Sequence, residues 1–270
     1  MKVWTIANQK GGVGKTTTTV TLGGLLAAAG KRVLLIDMDP HGSLTSYFKC
    51  NPDELERSTF QLFQHKGEVP AHLPGQLIQH TPQPRLDFIG ASTGLAMLER
   101  QAANMGGMGL VLKRTTELLS RDYDYVLIDT PPMLGVLLIN SIAACEQIII
   151  PVQTEFLALK GLERMLRTLA MVSRSQRREV PYVIVPTLFD RRTQASTQSL
   201  RLLRTTYEDL IWPGAIAVDT RLRDASKAGK PAHAFDPQSR GVKQYASLLN
   251  YITSGAANNA TREMQAAAVF

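Results

Sequence analysis

Only two cysteines occur in the 270 residues, Cys50 and Cys145, far apart and outside any CxxC pair. They provide neither a disulfide framework nor a thiolate metal centre, and they suit a reducing cytosol. The five histidines lack metal-ligand spacing. No apolar run approaches the roughly 18 residues needed to cross a bilayer; the longest, around Ile148–Val152, are strand-sized. Met1-Lys2-Val3-Trp4 leads straight into an apolar run without a cleavage site, so a secretory leader is not expected and a cytoplasmic location is. Internal repeats and Pro/Gly/Ser-rich linkers are absent too, which argues against two domains. The expectation is one domain over residues 1–254, with the Ala/Asn-rich stretch 255–270 as a frayed tail. Thr261–Phe270 has one Arg, one Glu and mostly alanine, not the basic amphipathic helix of a membrane-cycling protein, so no stable membrane anchor is expected.

What the chain does have is alternation. Apolar runs at Val3–Ala7, Val33–Ile36, Leu86–Ile89, Tyr125–Ile128, Ile148–Val152 and Val180–Val185 predict strands. Helical periodicity lies between them at Thr16–Ala29, Gly109–Ser120, Leu157–Ser173 and Gln194–Leu210. Short, continuously apolar strands separated by helices predict an α/β fold with a single doubly wound, mostly parallel sheet. Asn51–Pro84, with irregular Pro, His and Gln, reads as a helix-and-loop insertion.

Charge is unevenly placed. Residues 1–159 hold 13 Lys and Arg against 14 Asp and Glu, whereas residues 160–243 hold 16 against 8. The whole basic excess lies in one stretch, which fits either solvated helix faces or a polyanion-binding surface.

After the first strand comes Lys10-Gly11-Gly12-Val13-Gly14-Lys15-Thr16-Thr17, and then a helix. Strand, glycine-rich loop and helix are the context of a phosphate-binding P-loop. Glycines let successive N–H groups turn inward, and the helix N-terminus adds partial positive charge. Lys15 is placed to reach the β- and γ-phosphates of a nucleoside triphosphate, and the Thr16 hydroxyl to ligate Mg²⁺. Lys10 is a second cation beside the same triphosphate, more than one active site needs.

This loop resembles the deviant Walker A motif of the ParA/MinD ATPases, which implies the P-loop NTPase fold, ATP hydrolysis with weak intrinsic turnover, and a homodimer when ATP is bound. In that family the first lysine reaches the partner's nucleotide, which implies that role for Lys10; Gly12 would lie where the two backbones approach. Val33–Pro40 is similar to the family's second motif, implying that Asp39 orients the attacking water and Asp37 supports the metal region. Tyr125–Pro132 resembles Walker B and its switch, implying Mg²⁺ at Asp129 and γ-phosphate sensing by Thr130–Pro132. Gln153–Leu162 and Gly229-Lys230-Pro231 also resemble family segments. A carboxylate at the C-terminal end of a strand suits such work, and a turn or helix cap is the alternative reading of both aspartates.

Two similar segments fall in the basic region, Thr187–Thr193 and Arg221–Ala225. By resemblance to the DNA-binding members, Arg192 and Arg221 would touch duplex DNA without reading sequence, supported by Arg223, Lys227 and Lys230. Ordinary solvated arginines, or contacts to a protein partner, are the alternative. Met1–Thr19 together with Pro40–Phe48 looks more like the ParC branch, which implies a partner protein that localises the ATPase or stimulates hydrolysis, and a chemotaxis array at the cell pole as cargo. DNA partitioning on the nucleoid is the second implied reading. An inactive scaffold would lack Lys15, Thr16 or Asp39, and all three are present.

Overall fold

Each apolar run becomes a strand in the computed structural model, which describes residues 1–65, 67–101 and 108–255. The strands are β1 (Lys2–Ile6), β2 (Val33–Asp37), β3 (Gln79–His80), β4 (Leu86–Ile89), β5 (Tyr125–Asp129), β6 (Gln147–Gln153) and β7 (Tyr182–Thr187). They make one sheet in the order β3-β4-β2-β5-β1-β6-β7. Every neighbouring pair is parallel except β3 with β4. β2 and β5 are buried at every position, as a strand covered on both faces must be. The mostly parallel, doubly wound α/β sheet is therefore the fold.

The helices are α1 (Lys15–Ala28), α2 (Ser43–Tyr47), α3 (Leu73–Leu77), α4 (Gly94–Gln101), α5 (Val111–Leu118), α6 (Val136–Ala144), α7 (Phe156–Gln176), α8 (Gln194–Thr206), α9 (Thr220–Ala228), α10 (Ala232–Phe235) and α11 (Arg240–Thr253). Side chains alternate across the strands and build two cores. Leu34, Ile36, Val126, Ile128 and Ile150 pack with residues of α5, α6 and α7. Leu35, Leu127, Ile149 and Val183 pack on the other face with α1, α9 and α11. A Cβ at Gly23 would lie 2.6 Å from the Leu35 side chain, so α1 sits hard against β2. Leu35 is fully buried there, and Leu35→Ala would cost about 2–5 kcal/mol.

Some local expectations shift. The helix expected through Leu210 stops at Thr206. Beyond a 3₁₀ turn, Trp212 N–H donates to Ile184 O and draws the chain onto the β7 edge. The helix expected from Gly109 opens as a 3₁₀ turn and becomes α-helical at Val111. Asn51–Pro84 holds a 3₁₀ turn (Thr59–Phe63) and α3, and also contributes β3, the antiparallel edge. The expected tail 255–270 lies, beyond Gly255, outside the described residues.

Register positions the site. Ile6 pairs with Asp129, and Asp129 in turn with Asp37. The C-terminal ends of three central strands are therefore level, and the loops leaving them converge at one sheet edge, where open α/β sheets bind ligands.

Candidate phosphate and metal site

Asn8 anchors the entrance of the glycine-rich loop. Its buried side chain donates from Nδ2 to Pro151 O at 2.7 Å and accepts Lys10 N–H at 3.0 Å. From the other side the Thr187 hydroxyl donates to Val13 O at 2.8 Å. Between these pins Gly12 and Gly14 take φ of 74° and 91°, a left-handed backbone that L side chains rarely adopt. A Cβ at Gly11, Gly12 or Gly14 would meet nothing within 4 Å. The loop thus curls around open space at the N-terminus of α1, which fits a phosphate group. Lys15 is the first residue of that helix. It is buried, with Nζ 3.3 Å from Lys10 O. Burial lowers the pKa of its ammonium, and Asp129 and Asp39 pull it back up.

Thr16, Thr19 and Asp129 meet beside this cradle. Thr16 Oγ1 donates to Asp129 Oδ2 at 2.7 Å, and Thr19 Oγ1 reaches Asp129 Oδ1 at 3.3 Å. Burial pushes the Asp129 carboxyl above the usual carboxylate range; bonding to Thr16 and the charge of Lys15 oppose this. Among the described residues no group of three or more His, Cys, Asp or Glu could hold a metal. A magnesium ion here would therefore draw on Thr16, Asp129, water and phosphate oxygens, the coordination this cation favours.

Asp37, expected to support the metal region, is hydrogen-bonded within the segment that follows β2. Its Oδ2 accepts Thr45 N–H at 2.9 Å and the Thr45 hydroxyl at 2.7 Å, and its Oδ1 accepts Asp39 N–H at 3.1 Å. Those bonds fix the turn that presents Asp39. Burial, then the Asp129 charge, raise the pKa of the Asp37 carboxyl.

Three further contacts surround the site. His41 donates its backbone N–H to Asp39 Oδ1 at 3.0 Å, and its Nδ1 lies 2.9 Å from the same oxygen. Lys10 Nζ is ion-paired with Glu155, the residue preceding α7. The two loop lysines therefore diverge, Lys15 toward the cradle and Lys10 onto Glu155. Glu99 of α4 accepts the N–H groups of Val136 and Leu137 at 3.0 and 3.4 Å, capping the helix that follows Thr130–Pro132. Burial raises the pKa of the Glu99 carboxyl. Glu155 and His41 lie in the family-like stretches Gln153–Leu162 and Pro40–Phe48, which assigned them no role; no sequence signal pointed to Glu99.

Next to Asp39 opens a hollow of about 1330 Å³ whose walls include Pro131, Pro132, Met133, Leu134 and Met171. Met133 and Met171 are 62% and 60% exposed, an apolar rim beside a phosphate site.

The basic candidates lie elsewhere. Arg192 and Arg221, far apart in sequence, line one groove of about 610 Å³. Both are engaged: Arg192 is bidentate to Asp190 at 2.9 and 2.7 Å, and Arg221 pairs with Asp236 at 3.4 Å. Hydrogen bonds from Arg192 pull the Asp190 carboxyl down to about 2. Arg223, Lys227 and Lys230 are exposed on and just after α9.

A strand–glycine loop–helix cradle, with a lysine, a hydroxyl and an aspartate at the C-terminal sheet edge, defines a P-loop nucleotide-binding protein. An AAA-domain family model matches residues 1–181. The sporulation initiation inhibitor protein Soj of Bacillus subtilis is 35% identical over 254 residues, 94% of this chain and 98% of its own. The chromosome partitioning protein ParA of Caulobacter vibrioides is 34% identical, covering 94% of each chain. The crystal structure of cobyrinic acid a,c-diamide synthase from Mycobacterium smegmatis, with bound ADP and magnesium, superposes with a TM-score of 0.78 at 32% identity, covering 94% of this chain and 96% of that one. The chain belongs to the ParA/MinD family.

Proposed function

We propose that the protein is a magnesium- and ATP-dependent dimerising switch that positions cellular cargo and hydrolyses ATP slowly. The divergence of its two loop lysines carries this reading. Lys15 stays in the cradle of its own chain, where its charge suits the β- and γ-phosphates. Lys10 rests on Glu155 at the surface, free to exchange that carboxylate for the nucleotide of a second copy. Gly11–Thr17 would wrap the phosphates, and Thr16 and Asp129, 2.7 Å apart, would hold the metal. The bound cation would neutralise charge developing between the β- and γ-phosphates. Asp39, fixed by Asp37 and His41, orients the attacking water. Thr130 donates to Ile6 O at 2.9 Å, so the loop Thr130–Pro132 begins from a pinned residue beside the P-loop. The apolar rim at Met133 and Leu134 suits a partner copy, whose arrival would exclude water.

The test is light scattering with Mg-ATP. Asp39→Ala should hold ATP and accumulate as a dimer, whereas Lys10→Ala should bind nucleotide and stay monomeric. A Lys10→Ala protein that dimerises like wild type refutes the reading.

For the cargo, the resemblance of Met1–Thr19 together with Pro40–Phe48 to the ParC branch supports a chemotaxis array at the cell pole, reached through a partner protein. A second reading is segregation of DNA on the nucleoid. Relatives named for chromosome partitioning favour it, as does the shared groove of Arg192 and Arg221 with Arg223, Lys227 and Lys230 exposed nearby. In both readings the switch works in the cytoplasm, over a domain spanning residues 1–254. No helix among the described residues is long and apolar enough to cross a membrane.

A further inference from the structure

α7 has two faces, and only one is used by the fold. Ala158, Leu162, Met165, Leu169 and Val172 are buried against the sheet and its neighbours. On the opposite side Leu157, Lys160, Arg164, Arg167, Met171 and Arg174 follow one another at alternating steps of three and four residues. That is the heptad spacing of a helix seam, and all six side chains are exposed. The stripe runs about 26 Å at 1.5 Å per residue.

Its chemistry is unusual for a solvated face. Leu157 and Met171 are 69% and 60% exposed, and Phe156 beside them is 67% exposed. Among the described residues the guanidinium groups of Arg164, Arg167 and Arg174 have no carboxylate partner. The nearby acid, Glu163, is paired with Lys160 at 3.2 Å. The face therefore presents uncompensated cations between apolar side chains.

We propose that the outward face of α7 docks an acidic amphipathic helix of a partner protein. Glutamates or aspartates flanking such a helix's apolar seam would meet Arg164, Arg167 and Arg174, while its seam covers Leu157 and Met171. A second copy of this chain does not fit, because two α7 stripes would place arginine against arginine. Duplex DNA fits poorly, since a phosphate backbone offers nothing for Leu157 and Met171 to bury against. Glu155 and Lys10 lie at the N-terminal end of the stripe, so a docked helix would sit beside the lysine that the proposed dimer requires. This inference rests on the reading of the protein as an ATP switch that answers to a partner, and names that partner's chemistry.

The experiment uses the full chain with Mg-ATP and three fluorescent probes. One is a peptide of about three heptads with leucine at the seam and glutamate flanking it; the second replaces glutamate by lysine; the third is a duplex DNA oligomer. The glutamate peptide should bind wild type and the lysine peptide should not. Arg164→Glu/Arg167→Glu/Arg174→Glu should weaken the glutamate peptide by about ten- to a hundredfold and gain the lysine peptide, with ATP-dependent dimerisation retained. Met171→Asp should weaken both pairings while leaving the circular dichroism spectrum unchanged. Failure of wild type to bind the glutamate peptide overturns the proposal, as does binding that charge reversal leaves intact. DNA binding that the triple variant alone loses overturns it too, and makes the face a nucleic-acid surface. Failure of wild type to dimerise with ATP would instead refute the switch itself.

Discussion

Glu155→Gln is the substitution that separates a structural from a regulatory role for the Lys10 contact. The pair is partly exposed, with side-chain exposures of 28% for Lys10 and 39% for Glu155. An ion pair at that exposure contributes about 0.2–1 kcal/mol. Glu155 makes no side-chain cap to α7, so the glutamine variant removes one charge without loosening the helix. If Lys10 must leave Glu155 to reach the partner's nucleotide, each dimer breaks two such pairs, at a combined cost of about 0.4–2 kcal/mol. Removing the carboxylate should therefore tighten the ATP-bound dimer by about two- to thirtyfold. The comparison is Asp39→Ala against Asp39→Ala/Glu155→Gln, so that turnover does not blur the equilibrium, with dimer dissociation followed by sedimentation velocity in Mg-ATP. Low salt should enlarge the difference, because exposed pairs are screened. An unchanged or weaker dimer in the double variant refutes the exchange of partners by Lys10.

Three further outcomes follow from the site. Lys15→Ala should abolish ATP binding and hydrolysis together in calorimetry and phosphate-release assays; wild-type affinity would remove the P-loop assignment. Arg192→Ala/Arg221→Ala should flatten the salt dependence of duplex DNA binding, whose log–log slope is expected near −3 to −4 for about four neutralised phosphates, and spare basal hydrolysis. The raised Glu99 carboxyl is protonated more readily folded than unfolded, so its stabilising contribution is complete below its ordinary value of 4.5 and is lost as pH rises through its higher folded value. Glu99→Gln should flatten that part of a stability–pH curve measured by urea unfolding, and an unaltered curve would exclude Glu99 as its source.

Residue patterns read well where local chemistry is sufficient. Val33–Ile36 and Tyr125–Ile128 are runs that only a doubly covered strand tolerates, and both are central in the sheet. Gly12 and Gly14 were legible because a curled backbone demands them. Contacts made by topology were not. Lys10 meets Glu155, and Glu99 meets Val136, only because β6 lies beside β1 and α4 beside α6. β3 has two residues and gains its identity from pairing with β4, so no periodicity announces it. The ion pairs of the basic stretch were hidden for the same reason. Counting charge along the chain could not show that Asp190 and Asp236 fold back onto Arg192 and Arg221.

The groove of Arg192 and Arg221 is tied to the phosphate site by a continuous set of bonds. Asp37, at the end of β2, holds Thr45 in α2 through two hydrogen bonds. From the last residue of α2, the Tyr47 hydroxyl donates to Lys230 O at 2.9 Å, and Lys49 Nζ donates to Lys227 O at 2.7 Å. The backbone between those carbonyls passes through Gly229, with φ of 68° and Tyr47 O 3.3 Å from where a Cβ would stand. Any side chain there would push α2 away from the end of α9. Glycine at position 229 is thus explained by its left-handed backbone and by close approach. The turn that presents Asp39 and the helix that presents Arg221 and Arg223 are consequently parts of one bonded unit, so displacement of either must be carried, or resisted, by Tyr47 and Lys49.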